Sequence, residues 1–181
     1  SNKISSIPPQ IRMMGSLIEL AIDNNLLTEL PDTLTECTQL EKLILRQNQI
    51  THLPKDFGNL RRLKYLCLNS NCLESIPESF AQLEQLETLY LNTNKLRDAP
   101  SSLLHVGENL TYINLANNLI DTLSEEWVER WGELDRPSGK CINEDGGRTA
   151  LLLGNVGLWK EREKDAVPVS PSPQSHMMDT S

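Results

Sequence analysis

The chain of 181 residues has no long apolar run, no basic stripe and few aromatic side chains. No stretch approaches the ~18 apolar residues that a membrane-spanning helix requires, so the sequence predicts no membrane insertion. The formal charge is −8, and 17 lysines and arginines are scattered among 25 carboxylates. Proteins that bind a phosphate backbone cluster their basic residues, so we expect no nucleic acid partner.

Cysteines are also scarce: Cys37, Cys67, Cys72 and Cys141. They are too few and too scattered for a disulfide framework, and none has the paired CxxC spacing of a metal site. The sequence therefore predicts reduced thiols, no bound metal and a cytoplasmic location. One glycosylation-type sequon begins at Asn109, but its Leu110 is a repeat leucine, and we attribute the match to chance.

Signatures of catalysis are missing as well. The chain contains no GxGxxG, GxxxxGK[ST], HExxH or GxSxG motif, which excludes the corresponding nucleotide, zinc-protease and serine-hydrolase classes. A loop thiol, Cys141, follows Lys140, which would lower its pKa, but Glu144 and Asp145 oppose that effect. We expect no enzyme activity and no cofactor.

What the sequence does contain is a repeat. Five copies of LxxLxLxxN begin at Leu17, Leu40, Leu63, Leu86 and Leu110, spaced by 23, 23, 23 and 24 residues. The alternating LxL predicts a short strand. The following PxxΦxxΦxxL, with apolar residues at every third position, predicts a short helical or 3-10 segment.

A single repeat of this kind cannot bury its own leucines, but stacked copies form a continuous core with a parallel sheet along one side. Each copy closes with an asparagine: Asn25, Asn48, Asn71, Asn94 and Asn118. Each of these asparagines lies where the strand turns, so its amide is expected to satisfy buried backbone groups. We therefore predict a structural role for all five.

Residues 2 to about 134 resemble the LPxxL-type leucine-rich repeats of intracellular scaffolds, such as Scribble-like proteins, Ras-pathway scaffolds and plant intracellular Ras-group-related proteins. The resemblance implies an α/β fold, a right-handed solenoid with a parallel sheet on the concave face and short helical or 3-10 segments on the convex face. It also implies a protein partner on the concave face. Extracellular members generally carry clustered cysteines at their ends, and this chain has none.

The sequence divides into four parts. Residues 1–16 form a partial repeat whose strand is missing, so we hypothesise that the parent polypeptide extends further at the N-terminus. Residues 17–123 hold the five repeats. Residues 124–159 are expected to hold a capping helix from Ser124 to Leu134, a polar loop over 135–148 and a degenerate last repeat at 149–155. Residues 160–181 are a polar tail with two Ser-Pro pairs that could accept phosphate.

By strand alternation, positions three, five and seven of each LxxLxLxxN face out of the concave surface. The predicted partner-binding residues in these columns are Lys42, Ile44, Arg46, Tyr65, Cys67, Asn69, Tyr90, Asn92, Tyr112 and Asn114. All three tyrosines of the chain are among them, and tyrosine and arginine are common hot-spot residues of interfaces. The structural alternative is that the tyrosines merely pack on one another.

Two other functions remain open at this point. The solenoid could be the substrate-recognition part of an enzyme complex, such as a ubiquitin ligase or phosphatase, or an architectural subunit of a large assembly. An architectural subunit should co-migrate stoichiometrically with its complex at high salt, whereas an adaptor should exchange.

Overall fold

A computed structural model describes residues 2–131, 134–135, 140–142, 149–152 and 155. These residues form an eight-stranded sheet. The strands are β1 (Glu19–Ala21), β2 (Lys42–Ile44), β3 (Tyr65–Cys67), β4 (Thr88–Tyr90), β5 (Tyr112–Asn114), β6 (Leu134–Asp135), β7 (Lys140–Ile142) and β8 (Thr149–Leu151). Their order in the sheet is β1-β2-β3-β4-β5-β8-β7-β6.

The six strands that belong to repeats are parallel and stacked in register, so that equivalent residues face each other. Leu43 pairs with Leu66, and Leu66 pairs with Leu89. All three leucines are fully buried, as expected for the inward-facing positions of a strand with a period of two. The predicted parallel-sheet solenoid is confirmed.

Short 3-10 helices, one before β1 and one between each pair of consecutive strands from β1 to β5, supply the other side of the core. They span Pro9–Met13, Asp32–Glu36, Phe57–Asn59, Glu78–Gln82 and Ser101–Leu104. A proline in extended conformation immediately precedes four of them. Phe57 and Phe80, from neighbouring repeats, are both buried and stack with ring centroids 5.1 Å apart. The apolar period of three thus correctly predicts these segments.

The repeat asparagines form a buried ladder that joins each repeat to its neighbour. Asn71 is representative: its Oδ1 accepts from the Ile50 N–H, and its Nδ2 donates to the carbonyls of Leu45 and Leu68, all at 3.0 Å. Asn155 makes the equivalent bonds to Ile120, Leu115 and Leu152. Residues 149–155 therefore contain a true sixth strand and its asparagine.

The residue before each of the five asparagines in the LxxLxLxxN copies adopts a left-handed conformation. The five residues are Asn24, Gln47, Ser70, Thr93 and Asn117, with φ between 55° and 58°. Asparagine tolerates this region, whereas a β-branched residue such as Thr93 is strained there. The backbone strain at this left-handed position therefore differs from one repeat to the next.

Replacing Thr93 by Asn is expected to stabilise the fold by about 1 kcal/mol, because the left-handed backbone disfavours the branched Cβ. Thr93 is exposed, so the exchange removes no core packing. The reciprocal variant Asn117→Thr should lower stability by a similar amount. Urea unfolding midpoints would measure both effects, and equal midpoints for all three proteins would contradict the strain.

At the C-terminal end, a helix α1 (Glu125–Trp131) takes the place of a 3-10 segment. Ser124 caps the N-terminus of this helix, with its Oγ accepting from the Trp127 N–H at 3.2 Å. Trp127 and Trp131 are buried and stack at 5.9 Å over the end of the core. The helix is shorter than expected: Leu134 belongs to β6 and not to its apolar face.

The expected loop over 135–148 is also wrong in part. Asp135 belongs to strand β6, and residues 140–142 form strand β7, which pairs antiparallel with both β6 and β8. These strands are only two or three residues long, too short for a hydrophobic period to show in the sequence. Strand β7 thus pairs with the edge of β8 that the strand of a further repeat would otherwise cover. The tail at 160–181 lies outside the described residues.

The opposite end of the sheet is uncovered. Strand β1 is the first strand of the sheet, and Met13 and Ile18 beside it are 80% and 60% exposed. Asn25 donates to the Asp23 carbonyl, but it has no carbonyl of a preceding repeat within reach among the described residues. The upstream extension expected from the sequence is not tested by these contacts.

Candidate functional site

The concave face is built from the residues that alternate with the buried leucines on β1 to β5. On the central strands the inward residues are fully buried, and the outward ones are mostly half-buried. Because the strands are in register, the outward residues of different repeats line up in two straight columns. Seven of the ten predicted partner-binding residues occupy these outward strand positions: Lys42, Ile44, Tyr65, Cys67, Tyr90, Tyr112 and Asn114. The other three, Arg46, Asn69 and Asn92, follow the ends of β2, β3 and β4 by two residues.

Three tyrosines form a continuous row across the middle of that face, which we call the tyrosine row: Tyr65, Tyr90 and Tyr112. The ring centroids of Tyr65 and Tyr90 are 5.8 Å apart, and those of Tyr90 and Tyr112 are 5.3 Å apart, with interplanar angles near 50°. Tyr90 lies one column away from the other two, so the contacts run diagonally between strands. The rings pack on one another and still leave part of each exposed.

Burial raises the pKa of both Tyr65 and Tyr112 above the ordinary value for a phenol. Both side chains are therefore uncharged at physiological pH. This part of the surface therefore presents neutral, amphipathic rings, each with an apolar face and a hydroxyl.

The N-terminal third of the concave face carries two cross-strand ion pairs. Lys42 Nζ lies 2.9 Å from Glu19 Oε1, and Arg46 lies 3.5 Å from Asp23 Oδ2. The pKa of Asp23 is lowered, first by a hydrogen bond from Asn24 at 2.7 Å and then by Arg46. Since each cation faces an anion, this part of the surface has no net charge, in contrast to the acidic chain as a whole.

Two polar residues near the tyrosine row differ from simple exposed contacts. Cys67 is only 5% exposed, and its thiol donates to Asn69 Oδ1 at 2.9 Å. Its side chain therefore lies below the exposed surface of the concave face and contributes little accessible area. The Oδ1 of Asn92 is buried and has no hydrogen-bond partner within the described residues.

Other parts of the described surface show no comparable arrangement. Grooves near the turns are lined by mixed charged and polar residues, such as Glu36, Arg61 and Arg62. Arg61 already pairs with Glu84 at 3.0 Å. No group of three potential metal ligands occurs in the part of the chain that the structure describes. Over the same residues, no helix is long and apolar enough to cross a membrane.

The comparisons with known proteins point to the same architecture. A leucine-rich-repeat family model matches residues 38–96. The leucine-rich-repeat ectodomain of the receptor kinase SOBIR1 from Arabidopsis thaliana is 31% identical over 66% of this chain and 68% of that one, with a TM-score of 0.59. The chain belongs to the leucine-rich-repeat family.

Two bacterial leucine-rich-repeat structures are also similar. A leucine-rich-repeat protein of Leptospira interrogans is 34% identical over 70% of this chain, with a TM-score of 0.67, and an internalin of Listeria monocytogenes is 31% identical over 69%, with a TM-score of 0.60. This chain spans about a third of each, 32% and 35%. No curated protein sequence matches the chain.

These matches establish the leucine-rich-repeat family. They do not distinguish the Scribble-like or Ras-related types, and one of the similar structures is a receptor ectodomain. The missing strand before Asn2 already predicts an open edge at the first full strand, but sequence reasoning did not single out Met13 and Ile18, whose exposure depends on what is stacked beside β1. It also missed the burial of Cys67, which follows from the neighbouring strands and not from its own column.

Proposed function

We propose that this leucine-rich-repeat chain binds a partner protein on its concave face, with the tyrosine row as the centre of the interface. The observation that carries this proposal is the placement of all three tyrosines of the chain in one contiguous, partly exposed row. Mutual packing alone would stabilise the sheet by only about 0.2–1 kcal/mol per pair. Tyrosines that remain accessible at the centre of a concave surface are better suited to act as interface anchors.

The flanking residues support the same role. Ile44 and the two ion pairs extend the surface on one side, while Asn69, Asn92 and Asn114 offer amide groups among and beyond the rings. A central aromatic patch with a polar rim is the usual anatomy of a protein interface. Because the paired charges cancel, we expect affinity to come from ring burial and amide hydrogen bonds, with little dependence on salt.

A reducing, cytoplasmic location and a scaffold role belong to this proposal. In support, Cys37, Cys67 and Cys72 are free thiols. Burial raises the pKa of Cys37 and Cys67, which keeps both protonated and unreactive.

The decisive experiment is crosslinking mass spectrometry on the endogenous protein, followed by affinity measurements with the partner it identifies. Tyr90→Ala is expected to weaken that partner at least about tenfold, because truncation of a central aromatic anchor commonly costs 2 kcal/mol or more. Tyr90→Phe should retain most of the affinity if ring burial is the main contribution.

Leu119→Ala is a matched control, since Leu119 is also an exposed apolar side chain but lies in a turn and not on β1 to β5. Thermal unfolding of each variant must show that the solenoid remains folded. If Tyr65→Ala, Tyr90→Ala and Tyr112→Ala all bind like the parent chain, the tyrosine row is not the binding site.

A further inference from the structure

The chain itself contains a segment whose chemistry matches the tyrosine row. Residues 167–173 read Val-Pro-Val-Ser-Pro-Ser-Pro, with three prolines and no charged side chain. Proline restricts φ to the polyproline II region, and such segments bind grooves lined by aromatic rings with little loss of conformational entropy. The neutral rings and neutralised ion pairs of the concave face make the same surface compatible with an uncharged ligand.

We propose that residues 167–173 of this same chain dock on the tyrosine row and so compete with the external partner. This inference rests on the proposed function, because it uses the same surface. The tail would thus regulate access to the interface from within the molecule.

The spacing of the prolines fits the row. A polyproline II helix returns to the same face every three residues, about 9 Å further along, so Pro168 and Pro171 would share one apolar ridge if the segment adopts that conformation on docking. The tyrosine row, with successive ring centroids 5.8 Å and 5.3 Å apart, is long enough to lie beneath that ridge.

The chain is also long enough to reach. Asn155 is followed by residues 156–166 before the proline segment begins, and a chain of that length can span up to roughly 35–40 Å. Strand β8 is the neighbour of β5, which is the neighbour of β4. Two strand spacings are only about 10 Å, so β8 is close to the strands that carry Tyr90 and Tyr112.

Phosphorylation would oppose the docking. A phosphate on Ser170 or Ser172 adds about −1.5 to −2 charges, which would have to be desolvated against uncharged rings. Both serines precede a proline. The same modification would therefore free the concave face for its partner.

The test is ¹⁹F NMR of the full chain with 3-fluorotyrosine, because its three tyrosines give three signals that all report on the row. Combined replacement of Pro168, Pro171 and Pro173 by Ala is expected to shift the Tyr90 signal. Met177→Ala with Met178→Ala changes the same tail outside the segment and should shift none. Unchanged tyrosine signals in the proline variant would overturn the proposal.

A synthetic peptide of residues 165–175, added to the proline variant, should restore the parent spectrum. It should bind that variant on the order of tenfold or more tightly than the parent chain, whose own tail acts at a high effective concentration. The peptide phosphorylated at Ser170 and Ser172 should fail to restore it. A parent spectrum that changes on dilution would mean that a second copy supplies the segment, which also overturns docking within one chain.

The two proposals fail separately. If Tyr90→Ala weakens the external partner while the proline variant leaves the tyrosine signals unchanged, only the tail inference is wrong. If the tail docks but Tyr90→Ala leaves partner affinity intact, the proposed interface is wrong. If both hold, the proline variant should bind the external partner more tightly than the parent chain.

Discussion

Replacing Asn71 by Ala is expected to lower the free energy of unfolding by about 3–5 kcal/mol, a large fraction of the stability of a domain of this size. The substitution leaves three buried backbone groups without partners: the N–H of Ile50 and the carbonyls of Leu45 and Leu68. Each unsatisfied group costs roughly 1–3 kcal/mol, and partial relaxation of the turn recovers some of the sum.

The first rung of the ladder supplies the matched control. Asn25 accepts one hydrogen bond from the Ile4 N–H and donates to the Asp23 carbonyl, at the uncovered end of the solenoid. Water can reach those groups once the amide is gone, so Asn25→Ala should cost clearly less than Asn71→Ala. Urea denaturation followed by circular dichroism would measure both. Equal losses would show that the ladder contributes through side-chain volume and not through buried hydrogen bonds.

Replacing Gly58 by Ala is also expected to lower the stability of the fold strongly. A Cβ at Gly58 would lie 1.9 Å from the backbone oxygen of Ser79 in the next repeat. Backbone atoms cannot swing aside as a flexible side chain can, so the two neighbouring 3-10 helices would have to separate. That separation would disturb the Phe57–Phe80 stack, and we expect a loss of about 3 kcal/mol or more.

Two other glycines, with more space for a Cβ, allow the size of this clash to be compared with the loss of stability. At Gly107 a Cβ would lie 2.5 Å from the Glu84 carbonyl oxygen, and at Gly15 it would meet nothing within 4 Å. In thermal unfolding, the loss of stability should therefore increase from Gly15→Ala to Gly107→Ala to Gly58→Ala. A Gly58→Ala protein as stable as the parent would mean that the repeats beginning at Leu40 and Leu63 can move apart at little cost.

The repeats could be predicted from the sequence because one pattern specifies both halves of each unit. The spacing of Leu40, Leu63 and Leu86 fixes the strand period, the core and the in-register pairing together. The same alternation correctly placed Tyr65, Tyr90 and Tyr112 on a common face. Their contacts could not be predicted, since the diagonal packing depends on rotamers and on the twist between strands.

The C-terminal end was harder to predict for a different reason. Leu134 continues the spacing of Trp127 and Trp131, so periodicity alone extends the helix through it, while pairing with β7 ends it earlier. Short strands such as β6 and β7, which are held mainly by backbone pairing, produce no recognisable hydrophobic pattern in the sequence. Tertiary context therefore overrides local preference at this edge.

The asparagine ladder also explains how the C-terminal end of the solenoid can hold extra segments between two repeat strands. In the central repeats Asn71 and Asn94 bond to backbone groups 21 and 26 residues earlier in the chain. For Asn155 the same two bonds reach back 35 and 40 residues. The rungs thus depend on neighbours in space, and the length of chain between two rungs is free to vary. New segments can be inserted in the chain between two rungs, as α1, β6 and β7 are here, while the parallel strands on either side stay in register.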